Sequence, residues 1–469
     1  MSTRAATISR IPPFLRPYLK RIETSPTATR LVRGAFWSLS GALISRVLGL
    51  VSSFVVARIL GKSGFGELGI IQSTVGMFQV FAAFGLGLTA TKYVSELRVS
   101  DPQKAGRIIG LSSLAAVATG GIIASTLLLF APWLASHSLA APQLTGVLRI
   151  SSALLFLGAL NGAQTGALAG FEKFKAIARV NLLAGLVAFP LMIAGTYLAG
   201  LEGAVWGLVG SMAVNWFLNS LALNSACRES GVPRLLLGAW REYKVLWRFS
   251  LPALLNGVMV SPAIWLCNAM LVNQPGGYGE MGIFNAANQW RAAILFLPTV
   301  VEAIILPICS SLRGEGNWTG YKKVLLYNVY FNAGITLVAA LAVSLSGSLI
   351  LRGYGRGFEA GRIVLLVLCL SAVLSATIGV SGQFIASEDR MWAGMFLNFL
   401  WAIALITSNW LLMGKGALGL SLANLIAYGV HFVTVGAYCF YLFSTNKRKF
   451  EMLGKARLPA LSVPQNRPS

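Results

Sequence analysis

Gly64-Phe65-Gly66-Glu67-Leu68-Gly69 and Gly277-Tyr278-Gly279-Glu280-Met281-Gly282 repeat one pattern, glycine-aromatic-glycine-glutamate-apolar-glycine, 213 residues apart. Each copy follows one long apolar run and opens the next, so each reads as the turn between two helices. Gly203-Ala204 and Gly416-Ala417, which open two further runs, stand at the same spacing. Two matches at one offset mark an internal duplication, and they divide the chain into two related halves.

The runs around these turns set the fold class. Of 469 residues, 56% are hydrophobic and 11% charged, and mean hydropathy is +0.70. A soluble domain carries roughly a quarter charged residues, so this chain lacks the charge for a water-exposed surface. At roughly 20 apolar residues per span, the sequence predicts twelve transmembrane helices. They lie near 35–57, 67–91, 107–131, 147–170, 177–200 and 203–226, then near 248–273, 282–311, 324–347, 361–386, 392–413 and 416–443. The expected fold is an all-α polytopic membrane protein. An even number of spans per repeat makes both repeats start on one side, so they are parallel and related by an axis along the membrane normal. The predicted organisation is a basic tail (1–34), an N lobe (35–226), a connector (227–247), a C lobe (248–443) and a second tail (444–469).

Net charge is +23, a balance also found in nucleic-acid binders, but the cations sit between the apolar runs. With the N-terminus inside, the cytoplasmic segments hold 29 Lys and Arg and the opposite loops seven, leaving Arg46 and Arg291 within spans. That asymmetry places both termini in the cytoplasm by the positive-inside rule, and no nucleic-acid partner is called for. The exception is Arg352, Arg356 and Arg362, three cations in one outer loop. The first 34 residues are acid-poor and interrupted by Pro12, Pro13 and Pro17, and they lack the apolar core of a secretory signal. Lys447, Arg448 and Lys449 follow the last span as an anchor on the anionic inner leaflet. Five scattered cysteines and two histidines, His137 and His431, supply neither a disulfide framework nor a metal site.

A charge inside a span is expensive, so Arg46 is expected to face protein or a wet cavity. Ser38, Ser45 and Ser52 flank it at heptad spacing. The competing reading is packing, because Gly41, Ser45, Gly49 and Ser53 form a small-xxx-small run that lets helices approach. The eighth span carries Asn285, Asn288, Gln289, Trp290, Arg291 and Glu302. Arg291 and Glu302 share a face about 16 Å apart, with Arg291 toward the outer half. Glu302 is either a packing carboxylate or, facing a cavity, the candidate for proton or sodium coupling. Pro252 and Pro262 in span 7, Pro190 in span 5, and Pro298 and Pro307 in span 8 are candidate bends, although membrane helices tolerate proline. Trp133, Trp240, Trp247 and Trp318 fall at interfaces, where an aromatic belt accounts for them. Trp290 lies deeper, to stack on sugar or to pack.

Arg33-Gly34-Ala35-Phe36-Trp37-Ser38, the Gly-Phe-Gly-Glu turn at 64–67 and Asn288-Gln289-Trp290-Arg291 resemble the polysaccharide transporter family. That family is the oligosaccharide flippase (O-antigen translocase) branch of the multidrug/oligosaccharidyl-lipid/polysaccharide exporter superfamily, and the likeness spans about residues 33–443. The resemblance implies a V-shaped pair of six-helix lobes around a cationic cavity. Its implied cargo is undecaprenyl-diphosphate-linked oligosaccharide, moved to the periplasmic leaflet with no organic cofactor. Polysaccharide polymerase and co-polymerase are the implied protein partners. Arg46 and Arg291 are the positions carried over as the pyrophosphate site, with Asn288, Gln289 and Trp290 in the cavity wall. They are not repeat mates, since the 213 offset aligns Arg46 with Met259 and Arg291 with Phe78. Lipid II flippases of the superfamily carry two more C-terminal helices, so a peptidoglycan role is not implied. A drug/cation antiporter would fit poorly with a cationic cavity, and a glycan polymerase or ligase needs a large outer loop that this chain lacks.

Overall fold

The computed structural model describes residues 26–235, 238–251, 254, 258–301, 312, 317–388 and 390–457. These residues are helical throughout apart from short turns, and seven of their helices are long and apolar enough to cross a membrane. Three of the seven hold two spans each, joined at a corner where a glycine takes positive φ: Gly61 (70°), Gly200 (56°) and Gly416 (59°). Only glycine adopts such a backbone without strain, which is why a continuous apolar stretch turns back at these points.

Twelve spans follow. The N lobe comprises α1 (26–60), α2 (62–97, broken at Phe84–Gly85), α3 (Pro102–Trp133), α4 (Thr145–Gly170), α5 (174–198) and α6 (201–229). The C lobe comprises α7 (Val260–Val272, preceded by a turn at 246–250), α8 (Gly277–Ile294), α9 (Trp318–Leu345), α10 (Arg362–Ser387), α11 (Met391–Leu412) and α12 (Gly416–Arg457). Within the N lobe, α1 and α2 pack on α5 and α6, and α3 packs on α4; within the C lobe, α10 and α11 both pack on α12. The chain therefore has the two-lobe, twelve-span architecture the repeat implies. Residues 26 and 457 lie on one face, here the terminal face, and the α1–α2 and α7–α8 corners lie on the other, the corner face.

The duplicated motif is where the lobes cross. A Cβ on Gly66 would stand 1.8 Å from the Tyr278 carbonyl oxygen, and one on Gly282 would stand 2.1 Å from the Lys62 carbonyl oxygen. The backbones of α2 and α8 thus touch directly, which small residues allow. Glu280 of the motif accepts a 2.9 Å hydrogen bond from the Ala417 amide, capping the exposed N-terminus of α12. Tyr278 Oη donates to the Leu139 carbonyl of the N lobe at 2.7 Å. Deeper in the membrane, α7 is pinned to α2 by Trp265 Nε1 donating to Thr74 (3.0 Å) and Asn268 Nδ2 donating to Ser73 (2.8 Å).

Several expectations shift. The corner equivalent to Gly416 is Gly200, whose backbone (φ 56°, ψ −132°) nearly repeats that of Gly416 (φ 59°, ψ −136°). Gly203, its partner at the 213 offset, is an interior helical residue packed on Gly195. The slip of three residues matches the 3-10 turn Met413–Lys415, which lengthens the α11–α12 corner. The helical part of α8 begins at Gly277 rather than 282. Arg291 is therefore about 21 Å from the corner end at 1.5 Å per residue. α8 breaks at Leu295, one turn before Pro298, whose missing amide and ring disrupt the preceding turn. Pro190 lies inside α5 without a break, and Pro262 sits in the first turn of α7. Glu302, Pro252, Pro307 and Cys309 lie outside the described residues. The other four cysteines are free and buried, and no metal-capable cluster occurs among the described residues.

Candidate functional site: a cavity between the lobes

One face of α8 builds the site. Asn285, Asn288 and Ala292 lie at i, i+3 and i+7, so they share one stripe, with Gln289 and Arg291 on its two flanks. The stripe separates two adjoining cavities that share Gln72, Asn285 and Asn288 as common wall.

The cavity on the N-lobe side, about 400 Å³, is bounded by Ser45, Arg46, Gly49 and Ser53 of α1 and by Gln289 of α8. Arg46 Nη2 donates to the Gln289 carbonyl oxygen at 3.1 Å, which ties α1 to α8. Its Nε is buried without a partner. The small-xxx-small run divides its work. Gly41 packs on α5, Ser45 both lines the cavity and donates from Oγ to the Asn181 carbonyl of α5 at 2.7 Å, and Gly49 and Ser53 line the cavity. Ser52 is buried, and the Ser38 side chain lies outside what is described.

On the C-lobe side a cavity of about 290 Å³ is bounded by Ser73, Asn268, Arg291, Asn424 and Tyr428 besides the shared amides. The Arg291 guanidinium lies 4.9 Å from the Tyr428 ring centroid, and its Nε donates to Ser371 Oγ at 3.1 Å. Stacking and that bond fix the plane of the fork, leaving Nη2 buried and unpartnered. Asn268 Oδ1, at 5% residue exposure, is also unpartnered, while its amide nitrogen donates to Ser73. Buried donors and acceptors without partners are rare in folded proteins. No carboxylate lines either cavity among the described residues.

Arg46 and Arg291 thus stand on either side of one amide wall, each about 21–22 Å below its corner at 1.5 Å per residue. Asn288 lines both cavities and Gln289 one. Trp290 lines neither: its half-buried ring packs against Phe54 at 6.2 Å, beside the core. Gln72, Ser73, Asn268, Asn424 and Tyr428 belong to the site without having been singled out in the sequence. Gln72 had a signal, since it is the mate of Asn285 at the 213 offset.

A family model described as "Polysaccharide biosynthesis protein" matches residues 31–313, more than half of the chain. The chain belongs to that family. The chain is 24% identical over 423 residues to the EPS I polysaccharide export inner membrane protein EpsE of Ralstonia nicotianae, with 87% of the chain and 94% of the relative covered. It is 22% identical over 413 residues to the lipid III flippase of Escherichia coli, covering 86% of the chain and 96% of that protein. Among solved structures it resembles the inward-facing conformation of a multidrug resistance MATE family transporter of the MOP superfamily. The TM-score is 0.71 at 17% identity, over 90% of this chain and 99% of that one. The outward-facing conformation of a transporter of that family gives 0.65 over 91% and 96%. The fold of this polysaccharide biosynthesis protein is thus that of the two-lobe multidrug transporters, while its sequence relatives are named for saccharide export and flipping.

Proposed function

We propose that the protein is a flippase for a lipid-linked saccharide, an undecaprenyl-diphosphate-linked oligosaccharide of the O-antigen, capsule or exopolysaccharide kind. In this reading it moves its cargo across the bacterial inner membrane by alternating access, with both termini cytoplasmic. The observation that carries the reading is the pairing of Arg46 and Arg291 across a wall of neutral amides with no carboxylate among the described lining residues. A diphosphate entering a low-dielectric cavity must be met by cations and hydrogen-bond donors. The unpartnered Nε of Arg46 and Nη2 of Arg291 offer both, and a guanidinium fork suits phosphate oxygens. Gln72, Asn285 and Asn288 each present a donor and an acceptor, as sugar hydroxyls require. Relatives named for polysaccharide export and lipid III flipping support the same class of cargo. The fold is shared with multidrug transporters, but a cavity whose charges are positive repels a cationic drug.

The test is Arg46→Gln and Arg291→Gln in the native host. Each variant is expected to lose surface glycan and to accumulate lipid-linked precursor on the inner leaflet at unchanged protein level. Normal glycan in both variants would remove the cavity from the transport route.

A further inference from the structure

Five of the seven cations on the corner face converge on one spot, although they come from loops nearly 300 residues apart. Arg58 and Lys62 belong to the α1–α2 corner, and Arg352, Arg356 and Arg362 to the α9–α10 loop. Arg58 Nε donates to the Gly353 carbonyl at 2.8 Å. A Cβ on Gly355 would meet the Arg58 stem at 3.4 Å, and one on Gly357 would meet Lys62 at 3.7 Å. Both glycines have positive φ (111° and 88°), which lets the loop wrap over the corner.

The patch is rigidly presented. The short helix Gly347–Tyr354 and the residues after it are anchored by Leu351, Tyr354 and Phe358, all at most 1% exposed. The Tyr354 ring packs tilted against Phe54 at 4.4 Å, and Phe358 meets Phe65 edge-on at 6.0 Å. The cations between these anchors point outward, with Arg352 and Glu359 69% and 63% exposed and 3.6 Å apart. An exposed pair of that kind neutralises little. Of the two motif glutamates, Glu67 beside this corner is hydrogen-bonded to Gln143 and Glu280 is spent as the α12 cap.

The patch is also continuous with the cavity. Tyr354 Oη lies 3.1 Å from Ser53 Oγ, and Ser53 lines the Arg46 cavity. Tyr354, packed against Phe54 and Phe65, therefore links the cavity lining to the loop that carries the surface cations. Cations on this face run against the bias of the whole chain, and on the flippase reading this is the face on which the cargo leaves.

We infer that Arg58, Arg352 and Arg356, with Lys62 and Arg362 beside them, form a receiving site for the diphosphate of a polyisoprenyl-linked saccharide as it emerges on the corner face. The inference rests on the flippase reading. Arginine forks on a stiff loop bind phosphate oxygens bidentately, and the site draws the diphosphate out past Tyr354.

Phosphatidylcholine proteoliposomes with the corner face outward are titrated with geranyl diphosphate, comparing wild type with Arg352→Gln/Arg356→Gln/Arg362→Gln. All three positions are exposed, so the variant folds. Affinity is expected to drop at least about tenfold in the triple variant, and wild-type binding to weaken with added salt. Equal binding by wild type and triple variant, or no binding by wild type, overturns the inference. Loss of wild-type binding in phosphatidylglycerol vesicles would assign the patch to bulk anionic lipid and overturn it as well. A wild type that moves lipid-linked saccharide yet binds no probe here sinks the patch alone. A wild type that binds the probe here yet moves no lipid-linked saccharide overturns the flippase reading and the receiving role with it, leaving an anion site.

Discussion

Arg46 keeps one protein partner, the Gln289 carbonyl, and Arg291 keeps one hydroxyl and one ring. Both are arginines whose shape matters as much as their charge. A lysine at 46 retains the cation but presents a point charge in place of a fork. Arg46→Lys is therefore expected to transport at least about tenfold more slowly than wild type at equal abundance, as read by flipping of a lipid-linked oligosaccharide in proteoliposomes. Wild-type rate in that variant would show that charge alone suffices. These two residues were legible from sequence because a charge in mid-span costs roughly 3 kcal/mol or more and so stands out. Their amide neighbours were not, because Asn, Gln and Ser occur throughout membrane helices as packing groups. Trp290 is ambiguous in sequence, since a large aromatic beside an arginine can stack on cargo or pack, and here its half-buried ring packs against Phe54.

At the scale of elements, the glycine motif reads in sequence as a turn and turns out to be a crossing as well. Gly66→Ala would put a methyl 1.8 Å from the Tyr278 carbonyl, a contact no rotamer relieves. Little folded protein is expected from that variant by size-exclusion chromatography. Gly49→Ala is the control, because nothing lies within 4 Å of its Cβ, and its yield is expected to match wild type. Glu280→Ala removes the cap of α12 and is expected to cost about 1 kcal/mol, seen as a lower unfolding temperature in detergent. Glu280→Gln, which keeps an acceptor oxygen, should recover most of it. An unchanged midpoint for Glu280→Ala would deny the cap its role. Periodicity located the helices but missed the break at Phe84–Gly85 and the slip from Gly203 to Gly200. Both depend on local φ, and apolar composition is the same on either side.

For the whole molecule, hydropathy and one repeat offset carried the two-lobe fold, whereas the registry between lobes came from contacts no pattern encodes. On the terminal side, α2 meets the start of span 7 through Thr89 and Ser250, whose hydroxyl oxygens are 2.7 Å apart and buried. Thr89→Cys/Ser250→Cys is expected to form a disulfide under oxidising conditions and to stop transport, with recovery on reduction. Full transport by the oxidised, cross-linked protein would mean that this contact stays closed through the cycle. The α2–α8 crossing has a consequence of another sort. Where two rods touch backbone to backbone with no side chain between, residues 62–69 and 277–285 form one joint inherited in two pieces. A chimera that takes each half from a different relative must carry both pieces from the same parent, or its halves will meet at the wrong pitch.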